Sequence, residues 1–464
     1  MKARRLVAVV LLAAIAGVLW KGPGVAQMRA PLTEDRGNRG DVLEDLALAE
    51  EAWRGHPGDT GATMDYATLL LETGQFERSF EVVDPLLLAE DPPPDAELTA
   101  ARLCYFMGRY EEAERLFRQV LDRNPSDQRA LRGLVFTYYQ TNAFHRCAEL
   151  PREELAGLRL PHLDLMRAFE DDPPYRLAWD GPVRTEVPFV ESDPLPVIDV
   201  EIDGRKIAAI IDTGADLFIL DTDTAESLGV ESVATMMAMF AGGKQGEIAF
   251  ARADSLRLGT ATLRSVPISI LPTRLLSLGE RQIEGIVGTS VLRQFLSTMD
   301  YPRGRLVLRE RSQAGLSDLE RGVAGTVEDE IPFYMQSTHS LLVHGSMNGH
   351  GGLLFHVDSG LAGVPAFGAP RETMEYLGIP IPEVAVHEGV IGGGGGGFAT
   401  GTFPVAELGL GRLVKKDLTG SFGGLPPGSY WHLGFIQDGL VSHNFLREYA
   451  WTLDFDGMRM VFSR

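Results

Sequence analysis

Only two cysteines, Cys104 and Cys147, occur in 464 residues, so at most one internal disulfide can form and packing must hold the fold. Both sit in helix-patterned apolar sequence and read as buried thiols. Positive charge is also scarce: 43 Lys and Arg stand against 64 Asp and Glu, a net charge of −21, with no basic stripe interleaved with aromatics. Such a chain repels a phosphate backbone, which argues against nucleic acid as a partner. There is no His-Glu-x-x-His pair, no phosphate loop ending in Gly-Lys-Ser/Thr and no Gly-x-Ser-x-Gly elbow. Motif-borne zinc, nucleotide and serine-hydrolase chemistries are therefore not signalled, and no metal or cofactor is expected.

The apolar run at the N-terminus, Leu6 to Trp20, is short for a membrane span and follows Lys2, Arg4 and Arg5, the layout of an export signal. Gly24 and Ala26 put small residues where a signal peptidase cuts, so residues 1–26 read as a signal peptide or, uncut, as an anchor. The protein is then expected to be exported, periplasmic or secreted, and to meet a membrane only through that anchor. No cysteine follows that could accept a lipid.

What the sequence does contain divides in two. Its length exceeds one hydrophobic core, and most of its 52 glycines lie in the second half. In the first half a period of 34 recurs: Gly74, Gly108 and Asn142; Phe76, Tyr110 and Phe144; Ser79, Ala113 and Cys147. Glycine lets a turn between two helices close, the small residue admits the next helix, and Pro125 ends the middle unit because it cannot donate the next backbone hydrogen bond. The middle unit, Gly108-Arg-Tyr110-Glu-Glu-Ala113 through Leu116, Phe117, Val120 and Leu121 to Asn124-Pro125, resembles the tetratricopeptide repeat. About three units are expected over residues 41–150, either as a surface for a peptide or protein partner or as a structural cap.

Residues 151–185, rich in proline and charge with Asp171-Asp-Pro-Pro174 as the strongest breaker, read as a linker. Beyond them, segments such as Val197–Ile202, Ile207–Ile211 and Leu263–Leu271 are rich in β-branched and aliphatic residues and mostly bounded by glycine or proline, which is strand chemistry. The expected architecture is an all-α helical-repeat solenoid followed by a mainly β unit of two lobes, residues 186–310 and 330–464.

The lobes are inferred from duplicated sequence. Ile210-Ile211-Asp212-Thr213-Gly214-Ala215-Asp216 ends an apolar stretch in a carboxylate, a hydroxyl and a glycine, and Phe355-His356-Val357-Asp358-Ser359-Gly360 repeats the pattern. Downstream, Gly285-Ile286-Val287-Gly288, Leu292-Arg293, Thr298 and Asp300 recur as Gly439-Leu440-Val441-Ser442, Leu446-Arg447, Thr452 and Asp454, at a constant offset of 154. This order resembles the retropepsin-type aspartic protease lobe, fused in tandem as in pepsin-like enzymes, over residues 186 to 464.

The resemblance implies an aspartic endopeptidase acting on peptide or protein substrates, with Asp212 and Asp358 facing each other as the catalytic pair. Two carboxylates that close cannot both ionise and share a proton. It further implies that Thr213 and Ser359 lock the opposite loop, that Gly214 and Gly360 permit the close approach, and that Asp216 contacts substrate backbone. An exposed turn carboxylate is the other reading of Asp216. Ala215 stands where pepsin-like enzymes often carry a hydroxyl donor, which implies a milder acid optimum. Flap candidates are the segment around Gly242 and Gly243 and the run Gly392 to Gly397.

Three features depart from the family pattern: Leu361 after the second Asp-Ser-Gly, Ser442 in place of a second glycine, and no tyrosine in the first flap. His356 lies two residues before Asp358, where it could perturb that carboxylate or sit satisfied at a strand surface. These departures keep open an alternative reading, a catalytically inactive protease-like binding module that works with the repeats as an interaction scaffold.

Overall fold

The computed structural model describes residues 38–464 except 159, 241–243, 277–280, 364, 387–398, 426–427 and 432. Residues 1–26, Gly242, Gly243 and the run Gly392 to Gly397 therefore lie outside the described residues. Among the described residues no helix is long and apolar enough to cross a membrane.

The N-terminal part is a stack of antiparallel helices: α1 Arg39–Gly55, α2 Thr60–Glu72, α3 Phe76–Val83, α4 Pro94–Phe106, α5 Tyr110–Arg123 and α6 Gln128–Gln140. Local chemistry sets their ends. Asn38 and Asp41 form a capping box on α1, and the carboxylates of Asp59 and Asp127 accept the first free N–H groups of α2 and α6. The period-34 turns adopt the left-handed backbone that glycine tolerates best: φ is 81° at Gly74, 74° at Gly108 and 58° at Asn142. Between helices, Gly133 leaves room for the Phe117 ring, which a Cβ would overlap.

The segment expected as a linker is folded. It holds α7 Arg152–Leu158 and α8 Pro161–Arg167, whose Leu155, Leu158, Leu163 and Met166 are buried in the helical core, and then β1 Arg176–Trp179. Two seven-residue helices carry too few turns for their period to stand out against the surrounding prolines and charges.

The first lobe contains β2 Arg184–Glu191, β3 Val197–Ile202, β4 Arg205–Ile211, β5 Phe218–Asp221, α9 Thr222–Leu228, β6 Ser232–Phe240, β7 Lys244–Leu258, β8 Ala261–Leu271, β9 Gly285–Val287, α10 Thr289–Leu292, β10 Leu296–Asp300 and β11 Arg305–Arg309. Helix α11, Gln313–Val323, leads to the second lobe. There follow β12 Val327–Gln336, β13 Ser340–Met347, β14 His350–Asp358, β15 Phe367–Ala369, α12 Arg371–Tyr376, β16 Ala385–Val386, β17 Ala399–Leu410, β18 Leu413–Phe422, β19 Gly439–Ser442, α13 His443–Leu446, β20 Ala450–Asp454 and β21 Arg459–Ser463.

The lobes repeat one topology. In the first, β4 pairs in parallel with β9, and β5 runs parallel to β8 and antiparallel to β9; in the second, β14, β19, β15 and β18 reproduce each pairing. Strands β4 and β14 end in almost wholly buried residues, as expected where sheet and neighbours cover both faces. A shared antiparallel sheet in the order β2-β11-β10-β20-β21-β12 joins the lobes. At its centre the duplicated Thr298 and Thr452 face each other, with hydroxyls 2.7 Å apart.

All three repeat turns dock on the β region. A Cβ at Gly74 would stand 3.1 Å from Leu354, one at Gly108 would overlap Met458, and the Asn142 amide donates to Gln294 Oε1 at 2.8 Å. The connection from β18 to β19 reaches back into the helices: Phe435 packs on Phe76 and Phe106, and the Ile436 N–H donates to Glu72 O at 2.8 Å. This edge of the repeats is thus occupied by the chain's own lobes.

Candidate active site

Each candidate carboxylate leaves the end of a strand held by a parallel neighbour. The Asp212 N–H donates to Val287 O at 3.0 Å at the end of β4, and Asp358 is opposite Ser442 at the end of β14. The two loops then meet and lock reciprocally. Thr213 N–H donates to Ser359 Oγ at 2.9 Å and Ser359 N–H to Thr213 Oγ1 at 3.0 Å; the Thr213 hydroxyl donates to Val357 O at 2.8 Å and the Ser359 hydroxyl to Ile211 O at 3.3 Å. Four bonds cross between loops 146 residues apart, and each hydroxyl both donates and accepts, so neither loop can shift alone.

The glycines fix the carboxylates. A Cβ on Gly214 would stand 2.7 Å from Asp358 Oδ1, and one on Gly360 would overlap the Asp212 carboxylate. Each aspartate therefore lies against the loop of the other. Gly214 N–H donates to Asp212 Oδ1 at 2.7 Å; Gly360 and Leu361 N–H groups donate to Asp358 Oδ1 at 2.9 and 3.1 Å. Both carboxylates are buried, and Asp212 Oδ2 receives no hydrogen bond from the described protein groups.

Burial disfavours charge here and pushes Asp212 up to about 6, against the pull of the Gly214 N–H. Asp358 is driven well above the usual carboxylate range, first by burial and then by the charge of Asp212. The two titrate as a pair, and the favoured state near neutrality holds a proton between them.

The departures in the second lobe have local explanations. The Leu361 side chain is buried while its N–H serves Asp358, so the residue contributes through its backbone. Ser442 donates to Pro365 O at 2.6 Å and accepts from Asn444 N–H at the start of α13. At Gly288 in the first lobe a Cβ would overlap the carbonyls of Asp216 and Leu217, so that lobe has no room for the serine. His356 is buried with its ring 6.3 Å from that of His339, and is not at a strand surface.

Asp216 is half-buried and not an exposed turn residue. Its carboxylate accepts from Ser290 Oγ at 2.6 Å and from the Tyr139 hydroxyl of α6 at 3.0 Å, with His162 Nε2 at 3.9 Å. Sequence reasoning did not anticipate these helical partners: Tyr139 repeats Tyr105 at the period of 34, but that period does not say what either residue touches, and His162 lies beyond the repeats. A second missed residue is Arg39, whose guanidinium donates to Asp438 Oδ2 at 2.7 Å, to Thr73 O at 3.1 Å and to Gly352 O. Asp438 also accepts the Leu354 N–H at 2.7 Å, which ties α1 to β14 four residues before Asp358. The offset of 154 aligns Asp438 with Glu284, the only available hint, and Glu284 is held by Arg205 and Arg274 instead. Among the described residues, no group of three or more His, Cys, Asp or Glu side chains is arranged to hold a metal ion.

Two family models match separate parts of the chain. The family model for aspartyl proteases matches residues 198–291, which include Asp212, and the model for the tetratricopeptide repeat matches residues 105–150. The chain thus has a helical part that matches the tetratricopeptide-repeat model and a mainly β part whose first lobe matches the aspartyl protease model. DNA damage-inducible protein 1 of Neurospora crassa is 23% identical over 260 residues, 55% of this chain and 53% of that protein. The chain spans about half the length of this curated relative. Among solved structures, a retropepsin-like aspartic protease from Rickettsia conorii is 17% identical with a TM-score of 0.21, covering 29% of this chain and 94% of that one. A chain described as the MamA RS-1 ArsTM double mutant is 21% identical with a TM-score of 0.27, over 29% and 78% of the two chains.

Proposed function

We propose that the chain is an exported aspartic endopeptidase in which Asp212 and Asp358 together activate a water molecule. The observation that carries this reading is the reciprocal loop lock, which sets both carboxylates against each other's glycine. Export rests on the N-terminal sequence alone. With one proton shared, the ionised carboxylate takes a proton from water as the oxygen attacks the peptide carbonyl, and the protonated one donates to the carbonyl oxygen. The resulting diol collapses as the leaving nitrogen takes a proton from the dyad, releasing an acid and an amine with no covalent intermediate.

Because both groups are shifted upward, doubly protonated dyad accumulates already in mild acid and removes the base, while full ionisation at higher pH removes the acid. Cleavage of a diverse peptide mixture by the full chain from about pH 3 to 8 should give a bell centred in the mildly acidic to neutral range. Folded protein that cleaves nothing at any of these values would reject the proposal.

Two further outcomes are expected. Gly360→Ala displaces the Asp212 carboxylate, and a shift of about 1 Å should lower kcat/KM roughly 100-fold while the melting transition survives; near-normal turnover would show that the two loops do not meet as described. Stability should also depend on pH in a definite way. Asp212, Asp358 and Asp438 have raised values in the folded state, so their contribution is present in acid and lost as pH rises through those values. His162, His339 and His443 are depressed by burial and act oppositely, losing their contribution as pH falls. Thermal melting should peak in mild acid, and a Tm that rises steadily to pH 8 would contradict these assignments.

A further inference from the structure

The seam between the lobes contains the dyad, and the C-terminal end of α6 crosses it. Tyr139 donates to Asp216 of the first lobe at 3.0 Å, while the adjacent Gln140 donates to Ser337 O and Thr338 O of the second at 2.9 and 3.0 Å. His162 of α8 fills the corner: its ring packs edge-on against Tyr139 at 5.5 Å and lies 5.6 Å from that of Phe250 on β7. Helix α8 also packs on β6, which pairs with β7. One end of the helical domain thus bridges both lobes beside the catalytic loop.

The distance from the chemistry is bounded. Asp216 is four residues from Asp212, so their Cα atoms are at most about 14 Å apart. An extended substrate rises about 3.3 Å per residue, so one that runs toward Asp216 reaches it within roughly four residues of the scissile bond. Asp216 itself is half-buried, and what surrounds it is buried: Tyr139 and His162 are 1% and 3% exposed, and Ala215 and Leu217 on either side are 2% and 1%. Side chains closed this tightly across a seam leave no open path for a polypeptide between them.

We propose that Tyr139 and His162 form an end wall of the substrate cleft and determine specificity, restricting substrates to chains with few residues on one side of the scissile bond. The proposal rests on the peptidase reading and adds its substrate class: short or terminal peptide segments on the walled side, and chains of any length on the other. The repeats then act as part of the enzyme, filtering substrates by length.

The test takes one peptide cleaved by the full chain and extends it stepwise on its N-terminal side or on its C-terminal side. Extension beyond about four residues on one side should lower kcat/KM roughly tenfold or more, and extension on the other should not. Tyr139→Ala should remove the asymmetry, whereas Tyr139→Phe, which loses the bond to Asp216 but keeps the ring, should retain it. Equal tolerance on both sides in the wild type overturns the wall, whether or not the alanine variant folds, and so does an unchanged asymmetry in folded Tyr139→Ala. If no peptide of any length is cleaved, the peptidase reading itself fails and the wall with it.

Discussion

Asparagine at either position 212 or 358 should abolish turnover while making the protein harder to unfold at neutral pH. Either change leaves one carboxyl group, which cannot be base and acid in the same step, so kcat/KM is expected to fall by about 10³-fold or more. The stability change has the opposite sign. The wild-type dyad places two carboxylates out of water with one neighbour's charge against the other, and as pH rises above Asp212's value of about 6 the fold bears the cost of ionising it. A neutral amide of the same shape removes that cost. At pH 7.5 the gain should be on the order of 2 kcal/mol, and near pH 4, where the pair is protonated anyway, it should vanish. Denaturant unfolding of the three proteins at both pH values checks this. Equal stability at pH 7.5 would mean that the carboxylates are more solvated than the structure places them.

Arg39→Ala should cost several kcal/mol of stability. Among the described residues the guanidinium is the only cation on Asp438, both side chains are buried, and the bridge joins α1 to β14 through the Leu354 N–H. Removing one partner of a buried pair leaves the other charged and uncompensated, which costs about 3–5 kcal/mol. Asp438 is already raised to about 6 by burial, with Arg39 opposing the rise, so losing Arg39 drives it higher. The penalty should therefore be largest above neutrality and shrink in acid as Asp438 takes a proton. Adding Asp438→Asn to Arg39→Ala should recover a large part of the loss at pH 7.5. A single-variant penalty below about 1 kcal/mol, the range of an exposed pair, would show that the bridge is solvated.

The parts legible in the sequence are those encoded locally or by duplication. Asp212-Thr213-Gly214 and Asp358-Ser359-Gly360 are loop chemistry, and each gains its meaning from the presence of the other. The constant offset linking Thr298 to Thr452 and Gly285 to Gly439 exposes the second lobe even where its loop residues differ. The period of 34 places the turns at Gly74, Gly108 and Asn142, but nothing in that period says what the turns touch. Docking is decided by shape and single polar contacts between distant positions, such as Asn142 with Gln294, Tyr139 with Asp216 and Arg39 with Asp438. A sequence holds no periodic trace of such pairs. The same reason hid α7 and α8, whose burial comes from the surface they meet rather than from a strong pattern of their own.

The central claim is that two carboxylates from different lobes make one hydrolytic site. It is tested most directly by incubating one peptide mixture with the wild type, Asp212→Asn and Asp358→Asn at the optimum pH and identifying products by mass spectrometry. The expected result is a defined set of new termini from the wild type and none from either folded variant. Retention of the wild-type products by either variant would contradict the shared site.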